Sequence, residues 1–186
     1  MTDTANVVSR ARGALEGVVV RRHLMHRDER GSVAEIFWSD GDFEFEPRQW
    51  HVLTNVAGSL RGMHLHVRHW DQKVVVAGRV ALVLKDLRPE SATEGEAVRL
   101  ELAAADLVSV TIPPGVAHGV YSYDDSVTLV AASQTYDPTD EFGFSWNDPG
   151  LGVEWPAMPT QLSKRDLEAQ SLASLVDHIR RERYLR

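Results

Sequence analysis

The sequence predicts an all-β domain followed by a C-terminal amphipathic helix. Short runs rich in Val, Ile, Leu, Thr and aromatics recur from about residue 17 to residue 135, and Gly or Pro turn signals separate them. An apolar period of three to four residues appears only after Leu162. At 186 residues, with 43% hydrophobic and 25% charged side chains, the chain suits one packed core and argues against disorder or two domains with a linker. A single domain over residues 1–186 is expected, with a barrel core at about 17–160 and a helical segment at about 163–185.

Taken in order, strands are expected at 17–22, 33–38, 49–54, 60–66, 73–76, 80–84, 107–112, 116–123 and 127–133. Ala77-Gly78-Arg79 is short enough for a hairpin turn, and Pro113-Pro114-Gly115 reverses the chain between two further runs. Such spacing suits a sandwich or barrel. The segments 40–47 and 86–96 read as acidic, solvated loops. Beyond Leu162, the residues Leu167, Leu172, Leu175, Val176 and Ile179 form the apolar stripe of a helix, with Ser163 as N-cap and Asp166 in its first turn. That stripe needs cover, from the barrel or from a second subunit.

Twenty Lys and Arg against 27 Asp and Glu give a formal charge of −7 without blocks of like charge, so no nucleic-acid partner is expected. A few local cations can still hold a phosphate. The absence of cysteine excludes disulfides, thiolate zinc sites and thiol nucleophiles. No apolar leader opens the sequence and no window approaches 18 apolar residues, so a cytoplasmic chain without a membrane partner is expected.

Five of the eight histidines lie between His51 and His118, and His64, His66 and His69 fall within six residues. On a strand, His64 and His66 share a face because side chains alternate with period two, and in a barrel that face can line a cavity. His118 follows a Pro/Gly turn at the start of another strand. Any one of them alone is more readily a satisfied core or surface histidine, but the cluster points to a site.

Gly58, His64, His66, Asp71 and Gly78 follow the spacing of the first cupin motif, with Asp71 where Glu is usual, and Pro113, Gly115 and His118 resemble the second. The resemblance implies a cupin double-stranded β-helix, a jelly-roll barrel with a site in its mouth. Within that superfamily, the stretch from about Gly17 to about Leu175 resembles the dTDP-4-dehydrorhamnose 3,5-epimerase family of nucleotide-sugar epimerases. The carrying segments include Asp28-Glu29-Arg30-Gly31, Leu60-Arg61-Gly62-Met63-His64, Gln72-Lys73-Val74-Val75, Ile112-Pro113-Pro114-Gly115-Val116-Ala117-His118-Gly119, Tyr136-Asp137-Pro138 and Trp146-Asn147-Asp148-Pro149.

Epimerisation beside a ketone needs a base on one face, a stabiliser for the enolate and an acid on the other face. The resemblance implies that His64 is the base, Asp166 its carboxylate partner, and Lys73 the cation near the sugar's 4-oxygen. It further implies that Arg30, Glu35, Gln49, His51, Arg61, His118, Tyr136, Glu141 and Arg165 contact a dTDP-sugar nucleotide, with Tyr136 stacking on thymine and Arg165 in place of the usual Lys. A homodimer that exchanges N-terminal strands, and no cofactor, are also implied. Arg30 and Glu35 can otherwise be a surface pair, and Asn147-Asp148-Pro149 reads better as turn chemistry than as a site.

The sequence departs from the family at the reacting end. The family's acid tyrosine, eleven residues before Glu141, corresponds to Val130, which cannot donate a proton. His51 stands where Asn is usual and His66 where Gln is usual. Alternation from His118 puts Tyr121 and Tyr123 on the opposite face unless a bulge intervenes. The first reading is therefore an epimerase acting at one carbon of a 4-keto-6-deoxy sugar nucleotide, with water, His51, His66 or His118 returning the proton. A second is a divalent metal site of His64, His66, Asp71 and His118. A third is a nucleotide-sugar-binding cupin without catalysis.

Overall fold

The structure is a computed structural model and describes residues 7–12 and 15–185; the rest of the expected 1–186 domain lies outside the described residues. The strands are β1 (Val7–Arg12), β2 (Val19–His23), β3 (His26–Asp28), β4 (Gly31–Val33), β5 (Gln49–Asn55), β6 (Leu60–Leu65), β7 (Asp71–Ala77), β8 (Arg79–Asp86), β9 (Ala97–Ala103), β10 (Val108–Ile112), β11 (Val116–Ser122), β12 (Ser126–Ala132) and β13 (Phe142–Gly143). Six form one sheet in the order β1-β2-β10-β7-β12-β5, five form the second as β13-β6-β11-β8-β9, and β3 and β4 make a separate hairpin. All the pairings are antiparallel.

The two sheets bury their facing sides against each other. Val18, Val75, Val110 and Ile112 from the first meet Val80, Leu82, Leu84, Val116 and Val120 from the second in one apolar cluster. Directly paired residues share a face, so the register places Val20, Val110, Lys73, Val130 and His51 in one inward row across the six-stranded sheet. That row begins apolar and ends polar, which is how one sheet supplies both a core and a pocket wall.

The second sheet needs one departure from regularity. His118 pairs with His64 and Val120 with Arg61, so β6 spends three residues where β11 spends two. The extra residue reverses the alternation and turns both Arg61 and His64 toward the barrel interior. Gly62 permits this: its φ is +132°, and a Cβ there would stand 2.5 Å from the Gly119 Cα of the neighbouring strand. The pairing of β11 with β8 is regular from Val116 to Ser122, so Tyr121 packs with Leu60 and Ala81 on the outer face, away from His118.

Three expectations are corrected. Residues 34–38 join no ladder; Phe37 and Trp38 pack on Phe43, and Phe37 also meets Trp50, so that the segment reads in sequence like a strand but is held by ring contacts. The acidic segments are not simply solvated. Glu44 pairs with the buried Arg21, and Asp86 is 0% exposed, accepting hydrogen bonds from Arg88, Ser91 and Thr93. The C-terminal helix is two helices, α1 (Lys164–Leu167) and α2 (Leu172–Arg181), because Ser163 and Ser171 each cap a separate start. Leu175 and Ile179 are buried on the outer face of the second sheet with Leu65 and Phe144, whereas Leu167 is exposed. Among the described residues no helix is long and apolar enough to cross a membrane.

Candidate active site

A pocket of about 260 Å³ opens between the sheets at the polar end of the barrel. His64 sits on its wall with Nε2 2.8 Å from Asp166 Oδ1. Asp166 reaches this position because Ser163, which caps α1 through the Asp166 backbone N–H, also donates its hydroxyl to Asp166 Oδ2 at 2.8 Å. Burial alone would raise the Asp166 carboxyl, but the hydrogen bonds from His64 and Ser163 outweigh it and hold the group below its ordinary value. An ionised carboxylate only accepts, so it fixes the Nε2–H tautomer of neutral His64 and leaves Nδ1 as the basic nitrogen. A more open groove of about 580 Å³, lined by β13 and the C-terminal helices, also touches His64 and Asp166.

Facing this pair, Lys73 is buried and donates to Asp71 Oδ2 at 3.0 Å. The Asp71 carboxyl would be raised by burial, yet the Lys73 ammonium beside it holds it well below the usual carboxylate range. His118 Nε2 lies 3.5 Å from the same carboxylate, and its Nδ1 is buried without a hydrogen-bond partner among the described residues. Burial, reinforced by Lys73, pushes the His118 imidazole well below its ordinary value and keeps it neutral. Burial lowers His66 as well, and its Nδ1 donates to the Asp140 carbonyl at 2.9 Å.

The metal arrangement is not assembled as the sequence suggested. His66, Asp71 and His118 come within reach of one another, but His64 is committed to Asp166 and the Asp71 carboxylate already carries the Lys73 ammonium. A divalent ion on Asp71 would face that fixed cation, so this donor set does not fit a four-ligand centre.

Of the residues singled out for ligand binding, Gln49, His51, Arg61, His118, Tyr136, Glu141 and Arg165 all line the pocket. Arg61 is held in place by Asn55 Oδ1 at 2.6 Å and the Thr54 carbonyl at 3.2 Å. Arg165 donates to Glu141 Oε2 at 3.0 Å, and Tyr136, anchored by its backbone N–H on Gln49 Oε1, leaves its ring 66% exposed at the mouth. Arg30 and Glu35 do not line this pocket; Arg30 instead pairs with Asp28 in the β3–β4 hairpin. Asp148 has the structural role expected of it, accepting from the Gly150 and Leu172 backbone N–H groups. Val130 does line the pocket, where its isopropyl group offers no proton.

Sequence reasoning placed His69 in the histidine cluster without giving it a role, and missed Asp140. His69 Nδ1 lies 2.9 Å from Asp140 Oδ2, and Asp140, only 1% exposed, also accepts from the backbone N–H groups of Val67 and Arg68. Burial lowers the His69 imidazole, but the Asp140 hydrogen bond overcomes it and the net shift is upward. The two residues lie 71 positions apart, and only the contact between the 66–70 and 138–140 turns joins them. The His69–His66 spacing in the sequence was the one available signal.

A jelly-roll barrel with a carboxylate-backed histidine, a buried lysine and two arginines around one pocket defines a cupin-type site. The chain matches the model of the dTDP-4-dehydrorhamnose 3,5-epimerase family over residues 12–174, and it belongs to that family. It is 35% identical over 172 residues to a dTDP-4-dehydrorhamnose 3,5-epimerase of Pseudomonas aeruginosa, covering 86% of this chain and 93% of the relative. It is 36% identical over 135 residues to a dTDP-4-dehydrorhamnose 3-epimerase of Streptomyces niveus, covering 69% and 64%. The Mycobacterium tuberculosis RmlC epimerase superposes with a TM-score of 0.85 at 27% identity, covering 96% of this chain and 93% of that one. Its chemistry is therefore that of an isomerase, a sugar epimerase.

Proposed function

We propose that the chain epimerises a dTDP-4-keto-6-deoxyhexose at a single carbon next to the 4-keto group. The observation that carries this reading is the 2.8 Å His64–Asp166 pair facing the same pocket as Lys73. His64 Nδ1 takes the proton from the carbon α to the ketone, the released electron pair moves onto the 4-oxygen, and Asp166 stabilises the imidazolium that forms. The Lys73 ammonium offsets the charge growing on that oxygen. Protonation of the enolate carbon from the opposite face completes the inversion, and none of these steps calls for a cofactor.

Arg61 and Arg165 supply cations for the diphosphate, and the exposed Tyr136 ring offers a stacking surface for the base. Arg30 and Glu35 serve the pocket of a neighbouring subunit, a placement that a monomer in light scattering would contradict. Val130 is the reason for a single carbon, since the family's phenol is missing from the row that carries Lys73 and His51.

The test is a His64→Asn variant assayed in deuterated water. Loss of hydrogen exchange by about 100-fold or more, with dTDP binding retained, is expected if His64 is the base. Unchanged turnover would remove it from that role.

A further inference from the structure

We propose that His69, oriented by Asp140, is the group that returns the proton to the enolate in place of the missing phenol. This assignment rests on the epimerase reading above and names the second half of the same reaction. The pocket contains two histidine–carboxylate pairs built alike: His64 on Asp166 at 2.8 Å and His69 on Asp140 at 2.9 Å. Both histidines line it, and both carboxylates are nearly inaccessible, at 3% and 1% exposure. An epimerase needs two such groups, because the proton leaves from one face of the sugar and arrives at the other.

The other candidates are less suited to donating. The Asp140 carbonyl can only accept, so the hydrogen bond from His66 Nδ1 leaves its Nε2 without a proton in the neutral ring. His118 is buried among Lys73, His66 and His64, and no carboxylate hydrogen bond orients it. His51 lines the pocket from the edge strand β5, where burial and Lys73 lower its imidazole and leave it less ready to hold a proton to give. His66 has carboxylates only at longer range, Asp71 at 4.0 Å and Glu141 at 3.6 Å, whereas His69 Nδ1 is hydrogen-bonded directly to Asp140 and its Nε2 lies 3.6 Å from Asp71 Oδ1, which favours the imidazolium with a proton to give.

The step balances as a proton transfer. The His69 Nε2–H bond breaks, its electron pair stays on nitrogen, and the new C–H bond takes the enolate pair as the 4-ketone re-forms. One turnover leaves a proton on His64 and His69 without one. Two further imidazoles lie between them, His66 4.1 Å from His69 and 5.3 Å from His118, and His118 edge-on to His64 at 6.4 Å between ring centroids. Solvent at the open pocket resets the pair.

The experiment separates exchange from inversion. His69→Asn keeps an amide N–H for Asp140 but cannot deliver a proton. In deuterated water it is expected to exchange the α-hydrogen into recovered substrate at close to the unaltered rate, while epimer formation falls about 100-fold or more. Adding Val130→Tyr to that variant restores epimer formation. A purely structural role for His69 would lower both rates together, and that result overturns the proposal, as does epimer formation within about twofold of the unaltered protein. Absence of any exchange by the unaltered protein overturns the epimerase reading and this assignment with it, whereas exchange with unimpaired inversion in His69→Asn overturns this assignment alone.

Discussion

His64 and Val130 face one pocket and set opposite limits on its chemistry. His64 has a carboxylate that fixes its tautomer; Val130 stands in line with Lys73 on one side and His51 on the other, in a row where a phenol would reach a bound sugar. Val130→Tyr is expected to add inversion at the second carbon flanking the ketone, because a positioned acid contributes about 10²–10⁴-fold. An unchanged product by NMR would show that the missing phenol does not restrict the reaction. At this scale the sequence was most legible. His64, Lys73, Arg61 and Asp166 occupy short motifs that survive translation into geometry, whereas the His69–Asp140 pair depends on two turns meeting and carries no local pattern.

Among the elements, β6 shows how backbone geometry serves the site. Three residues of β6 oppose two of β11, and only that irregularity lets Arg61 and His64 both face inward. Gly62→Ala would place a Cβ 2.5 Å from the Gly119 Cα at a φ of +132°. A loss of roughly 2–4 kcal/mol in denaturant unfolding is expected, together with weakened dTDP binding as Arg61 turns away. An alanine variant with unaltered stability would mean the strands can separate without cost. Such irregularity is invisible to alternation rules, which treat Leu60–Leu65 as an ordinary strand. The opposite failure occurred at Ala97–Ala103, where Val98, Leu100 and Leu102 alternate as a strand should and pack against the core. There the signal was present in the sequence. In residues 34–38 the alternation misled, because Phe37 and Trp38 found aromatic partners and no ladder.

Across the whole molecule, buried carboxylates tie stability to pH. Asp86 would be raised by burial, but hydrogen bonds from Arg88, Ser91 and Thr93 push it down to about 2 from an ordinary 3.8. Asp71, Asp140 and Asp166 are held low as well. A carboxyl whose folded value lies below its unfolded one stabilises fully above the unfolded value and loses that contribution as pH falls toward the folded value. For Asp86 this amounts to about 2 kcal/mol at neutral pH, lost between about pH 4 and pH 2. Thermal unfolding is expected to show a steeper acid decline for the unaltered protein than for Asp86→Asn, and parallel declines would contradict the assignment. The fold class was legible at this scale because the turn signals and β-rich runs recur throughout the chain. The two-helix C-terminus was not, since a second serine cap can divide an apolar stripe without altering its period.

The measurement that bears most directly on the function is proton NMR of dTDP-4-keto-6-deoxyglucose with this protein in deuterated water, following the signals at C3 and C5. Loss of signal at one of the two carbons, with the inverted product accumulating, is the predicted result. Retention of both signals would contradict enolisation by His64, and inversion at both carbons would contradict the single-carbon limit ascribed to Val130.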